Sequence, residues 1–224
     1  MTPEEQLWYG TPGRYRVHMD GRWELEDLYL MPHAFEQCYS FIYCFDTDVT
    51  PLRPERITAA LHGLPWRGGF SYLNIYSVLK GEVLWEDRPR VNEIRYASPG
   101  WVEINLALEV ALQVAKAIGA LAAAGAIAAK SYSSASKYLS DLKLYREKNR
   151  IAHLKLTKEQ DQAIVALCDT HAKFLGFKSA SALIQKTGNS EVTLRLLLAH
   201  HRRLRDLVHL VEVGKAAFPT DREA

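Results

Sequence analysis

The chain has little cysteine, few long apolar runs and almost no net charge. Its three cysteines, at 38, 44 and 168 in 224 residues, make neither a disulfide framework nor a zinc spacing. They read as reduced structural thiols of a cytoplasmic protein. No pair of histidines stands four apart and no Cys/His cluster is present, so no metal is expected. No cofactor is expected either: there is no phosphate-binding Walker loop, no Gly-x-Gly-x-x-Gly and no Gly-x-Ser-x-Gly. The opening residues MTPEEQLW are acidic and lack an apolar stretch, which argues against a secretory signal. The longest run without a polar side chain covers thirteen residues, 117 to 129, with Lys116 before it. A bilayer span needs about 20, so a buried helix is expected there rather than a membrane segment.

That run belongs to the most distinctive stretch present, Ile104 to Lys130. It is rich in Ala and Leu, contains no proline and is too long for a buried strand. Asn105, Glu109, Gln113 and Lys116 form one polar stripe along its first half. Gly119/Ala123 and Gly125/Ala129 have the small-xxx-small spacing that lets another backbone come close. Composition changes on either side. Residues 1–104 hold 10 Lys/Arg and 15 Asp/Glu, a balance of −5, together with all five Trp; residues 105–224 hold 18 and 11, a balance of +7. The expected organisation is an acidic, Trp-rich α+β part at 1–104, with a small antiparallel sheet, followed by a basic all-helical part at 105–224.

Local signals fill in that outline. Thr2-Pro3-Glu4-Glu5 starts a short helix. Tyr15, Val17 and Met19 alternate with Arg14, Arg16 and His18, a half-buried strand. Asp20-Gly21 reads as a hairpin turn with a returning strand over Arg22 to Leu25. Pro32 is expected to open a helix with Phe35, Cys38, Tyr39 and Ile42 on one face. Further helices are expected from Pro54 to Gly63 and from a Ser71 cap to Leu79, with strands at 90–97 and 101–104. After the Ala-rich helix, SYSSAS (131–136) reads as a hinge. Thr157 to Gln160 is a capping box, Ser179 and Gly188 bound a short helix, and Asn189 or Ser190 caps a long last one.

Three features invite a functional reading. Along the last helix Leu194, Leu197, His201, Leu204, Val208 and Val211 recur at alternating spacings of three and four. This is a coiled-coil-like seam, and it predicts an interface with a second copy or a protein partner. His200-His201-Arg202-Arg203-Leu204-Arg205 could contact phosphate but lacks interleaved aromatics, and reads as a solvated face with His201 in the seam. Third, Arg146-Glu147-Lys148-Asn149-Arg150-Ile151-Ala152-His153 resembles the Arg-x4–6-His signature of HEPN-type helical ribonucleases, with Lys148 where the commonest form has Arg. The resemblance implies metal-independent RNA cleavage, with His153 moving a proton at the ribose 2′-hydroxyl or the leaving oxygen and Arg146 or Arg150 holding the phosphate. The same residues also read as a basic helix end that suits the helix dipole.

The leading expectation is a non-catalytic interaction or sensing module that forms homo-oligomers or docks a partner through its helical half. The acidic and basic halves would also permit head-to-tail association. The alternatives are a HEPN-like endoribonuclease with RNA as its partner, and a membrane-active effector using residues 104–129.

Overall fold

The computed structural model describes residues 12–45, 52–63, 70–149, 156–177 and 179–221. The elements run β1 (Pro12–Met19), α1 (Leu25–Phe45), α2 (Pro54–Gly63), α3 (Phe70–Glu82), β2 (Arg90–Arg95), β3 (Gly100–Ala107), α4 (Leu108–Lys148), α5 (Lys158–Phe174), α6 (Ala180–Thr187), α7 (Ser190–Glu212) and β4 (Ala216–Ala217). The outline is α+β followed by helices. The helix expected after Thr2 lies outside the described residues.

The sheet order is β2-β3-β1-β4, all antiparallel. β1 pairs with β3 along its whole length, from Pro12 opposite Ala107 to Met19 opposite Gly100. The Asp20-Gly21 hairpin does not form. Trp23 and Glu24 lie in a loop, and the strand that continues the sheet beyond β1 comes from the far end of the chain, with His18 opposite Ala217. Trp23 shows why: its indole N–H donates to the carbonyls of Asp20 and Lys215, both at 3.1 Å, tying the loop to the C-terminal segment. A long-range tie of this kind is invisible to local turn chemistry.

β1 alternates as its sequence dictates. Tyr15, Val17 and Met19 are buried against the helices, while Arg14, Arg16 and His18 point to solvent. The β2–β3 turn depends on Gly100, where a Cβ would collide with the backbone of Arg95 and Ala97. β2 carries an irregularity between Val91 and Glu93, so Asn92 is an extra residue there. This bulge explains why the apolar positions of β2 stand three apart, at 91 and 94, rather than two.

α1 begins seven residues before Pro32, which sits inside the helix. Asp27 drives the early start: its carboxylate accepts from the Glu24 backbone N–H at 2.9 Å and pairs with Lys215 at 2.6 Å. Both interactions hold its carboxyl below the ordinary range, the backbone hydrogen bond most. Downstream, residues 37 to 45 are all buried. Tyr43 donates to the Asp87 carboxylate at 2.7 Å, Tyr39 donates to the Asp87 carbonyl at 2.7 Å, and the Tyr39 oxygen accepts from the Ala107 N–H at 3.0 Å. This knot pins α1 to the joint where β3 becomes α4, and burial pushes the Asp87 carboxyl up.

α4 runs through residues 131–136 without interruption; the hinge expected there does not form. The break lies at Gly125, whose φ of 43° and ψ of −120° are not helical. Glycine tolerates that geometry where other residues are strained. The first half of α4 is buried on most of its circumference, while Gly119, Ala120, Ala123, Ala126 and Ile127 around the break are exposed. Among the described residues one helix, α4, is long and apolar enough to cross a membrane by length and composition; 44% of its most apolar window is buried inside the fold.

The later caps match their sequence signals. Thr157 and Gln160 form the reciprocal capping box, Ser179 caps α6, Gly188 closes it in the left-handed region, and Asn189 caps α7 by accepting from Val192 N–H. One hydrophobic cluster runs through both compositional halves, from Tyr15 to Phe218. The switch at 104–105 marks a change from sheet to helix, with β3 reaching Ala107, and the core continues across it.

Candidate interaction surface

The last helix supplies the first candidate. Leu194, Leu197, His201, Leu204 and Val208 are buried within the chain itself, and Val211 is partly buried. α7 packs on α1, α4 and α5, so the seam that predicts an intermolecular contact is closed by the chain's own helices. His200 stacks on Phe41 at 4.2 Å, and His201 lies 4.9 Å from Tyr132 and 5.9 Å from His171. Burial holds His200 down to about 3 and His201 down to about 4, and lowers His171 in the same direction. All three rings are therefore neutral at ordinary pH. Both histidines of the His200–Arg205 run are thus core groups, and only Arg202 and Arg205 of its cations are exposed. Arg203 lies over the Tyr76 ring at 5.5 Å.

Of the three candidate residues of the ribonuclease-like signature only Arg146 is described; Arg150 and His153 lie outside the described residues. Arg146, on the last turn of α4, makes a two-pronged ion pair with Glu191 at 2.9 and 3.1 Å. Glu191 is also held by Arg195 at 2.7 Å. The Arg146 guanidinium thus ties the end of α4 to the start of α7.

Cys38, Cys44 and Cys168 are buried free thiols. Desolvation raises all three, Cys168 to about 12, so none carries thiolate character. Among the described residues no group of three His, Cys, Asp or Glu is placed to hold a metal ion. Phe35, Tyr39, Tyr43, Tyr76 and Trp23 are core, and Tyr29 is exposed. The side chains of Trp66 and Tyr72 lie outside the description.

Two depressions lie along α1. One, of about 260 Å³, is polar, lined by His33, Glu36, Gln37, Ser40, Tyr76, Ser77 and Lys80. Glu36 and Lys80 pair across it at 2.8 Å and Gln37 meets His33 at 2.9 Å, so its polar groups largely satisfy one another. The second, of about 320 Å³, is apolar. It lies between α1 and the edge of the sheet, lined by Leu28, Tyr29, Pro32, Phe35, Pro89, Val91 and Ile104, with His33 and Glu36 at its rim.

This second groove marks where the helical layer stops short. In register, Val91 sits opposite Ile104 and Ile94 opposite Val102, both core-facing residues of β3. Opposed residues share a face, so Val91 and Ile94 point to the helix side of the sheet. They are nevertheless 56% and 57% exposed, beside Leu25 at 86% and Tyr29 at 65%. β2 is also the outer strand, so half its backbone groups face away from the sheet. Sequence reasoning recognised Val91 and Ile94 as strand residues but had no signal that their apolar face would stay uncovered.

Comparison with known protein families, with curated proteins and with solved structures finds no match to this chain.

Proposed function

We propose that the protein is a non-catalytic interaction module that self-associates, two copies joining edge to edge through β2 rather than through the last helix. One observation carries this reading: Val91 and Ile94 face the core side of the sheet and remain more than half exposed, next to an apolar groove under α1. Apolar surface concentrated on a free strand edge is normally covered by a partner.

The sequence of β2 favours a second copy as that partner. A two-fold antiparallel pairing centred on Ile94 sets Ile94 against its mate and Glu93 against Arg95 of the other copy, twice. Opposite charges directly across a strand pair attract, and like charges repel. Other centres are worse: one at Glu93 opposes two carboxylates, and one between Asn92 and Glu93 opposes Arg90 to Arg95. The bulge at Asn92 ends regular pairing on one side, which confines the register. The result is an isologous contact joining two sheets into one.

Light scattering on purified protein tests this. Wild type is expected to run as a dimer, and Ile94→Glu as a folded monomer. Glu93→Arg and Arg95→Glu should each weaken the dimer through like-charge pairs. The double exchange, and a mixture of the two single variants, should restore it. A wild-type monomer at high concentration, or a dimer indifferent to all these changes, would sink the reading.

A further inference from the structure

Among the described residues no helix packs on the opposite face of the sheet, where Arg14, Arg16, Arg90 and Arg95 are exposed, and its side chains share an unusual chemistry. Of the ten cations in residues 1–104, nine are arginine and only Lys80 is lysine. Arg14, Arg16, Arg90 and Arg95 all fall on this outer face, as their pairing with Asn105, Glu103 and Trp101 shows. Two tryptophans sit among them. Trp101 has Arg95 over its ring at 4.7 Å and Arg16 at 5.3 Å. Trp85, in the short 3-10 turn before β2, has Arg90 at 4.3 Å and Arg88 at 5.5 Å, and is 64% exposed.

A polar outer face is ordinary for an antiparallel sheet covered on one side. What is not ordinary is the pairing of planar guanidinium groups with indole rings at both ends of one strand. The two stacks lie roughly 15 Å apart at about 3.3 Å per strand residue. The acids nearby are Glu86, Glu93 and Glu103. Glu103 is already satisfied, accepting from Arg16 at 2.8 Å and Asn92 at 2.5 Å, which hold its carboxyl below the usual range, Arg16 most. Among the described residues no carboxylate lies within ion-pair distance of Arg90 or Arg95, and the buried Trp101 indole N–H has no acceptor. Asn105 presents an amide beside them.

We infer that this outer sheet face binds single-stranded nucleic acid. Arginine suits phosphate through its fork of donors, and its flat face stacks on bases as readily as on indole. An exposed indole beside cations, as at Trp85, is the stacking platform that unpaired bases use and that a duplex cannot reach. An acidic peptide would satisfy the arginines but would leave the rings and the amides without a role.

The test is fluorescence anisotropy of a short labelled single-stranded RNA, with the matching DNA strand, a duplex of the same length and heparin as competitors. The expected result is saturable binding of single strands, at least tenfold weaker binding of duplex, and loss of affinity with rising salt. Arg14→Glu with Arg90→Glu should weaken binding at least tenfold and lower the salt slope by about 1.4, at about 0.7 per lost phosphate contact on a single strand. Trp85→Ala should weaken binding by about tenfold. These positions lie outside the Glu93–Arg95 pairing, so mass by light scattering and circular dichroism should not change, and the result stands apart from the self-association reading. Absence of binding at about 50 mM salt, equal affinity for duplex and heparin, or affinity unmoved by the three substitutions would each overturn the inference.

Discussion

On α7, Leu194, Leu197, Leu204 and Val208 recur at helical spacing and are buried. On β2, Val91 and Ile94 are no less apolar, face the same interior side of their layer, and stay open. The difference lies in what the rest of the chain brings to each. α7 is met by four helices, α1, α4, α5 and α6, while β2 is the outer strand of the sheet and its Val91 and Ile94 stay more than half exposed. Each fully buried leucine on α7 contributes about 2 kcal/mol. The same side chain chemistry on β2 contributes to folding only in part and is left for association. A regular apolar pattern therefore says that a face seeks cover, and the tertiary arrangement decides whether the cover is internal.

The sharpest way to break this contrast is to place one charge in each region. Leu204→Glu should cost several kcal/mol through an unpaired buried carboxylate and abolish cooperative thermal unfolding. Ile94→Glu should keep cooperative unfolding, lower the melting temperature only by the part that dimerisation adds, and act chiefly on mass. A Leu204→Glu variant that is folded and monomeric would reverse the assignment of the two surfaces.

Acid should expose the next difference, because the α7 core holds titratable rings and β2 holds none. His200 and His201 take up protons near 6.5 when unfolded but resist until about 3 and about 4 when folded. A depressed folded value means that their stabilisation is complete above about pH 6.5 and drains away as pH falls from there toward 4. The expected loss is on the order of several kcal/mol at pH 4.5, read as a fall in the urea midpoint. His200→Phe keeps the stack on Phe41 and removes two ring nitrogens that have no partner, so it should flatten part of the acid dependence. A midpoint independent of pH between 7 and 4.5 would contradict the buried, neutral cluster.

The smallest expected effect concerns Arg146. Because Glu191 keeps Arg195 as a second partner, Arg146→Ala should cost about 1–2 kcal/mol, with Arg146→Lys recovering only part, since lysine cannot make the two-pronged contact. Unchanged stability would mean that the α4–α7 tie does not hold in solution.

Much of the fold was legible where the physics is local. Thr157, Ser179, Gly188 and Asn189 act as caps because a cap depends on a few neighbouring backbone groups, and the β1 alternation follows from a one-sided sheet. The errors fell where distant residues intervene. Asp20-Gly21 looked like a hairpin because nothing nearby announces that Lys215 and Ala217 return to that edge. Pro32 looked like a helix start because the hold of Asp27 on Glu24, steadied by Lys215, lies outside its own turn. The serine-rich 131–136 looked like a hinge, yet packing carries the helix through it, and the break moved to Gly125.

The amino-acid pattern by itself determined the α+β outline, the positions of most elements, the caps and the presence of an apolar seam on the last helix, since each depends on periodicity and short-range hydrogen bonding. Tertiary structure alone decided that the seam is internal, that His200 and His201 are buried and neutral, that Arg146 is bound by Glu191, and that the uncovered apolar surface lies on β2. Those outcomes depend on how many elements reach a given face, which is set by the meeting of residues as far apart as Tyr15 and Pro219.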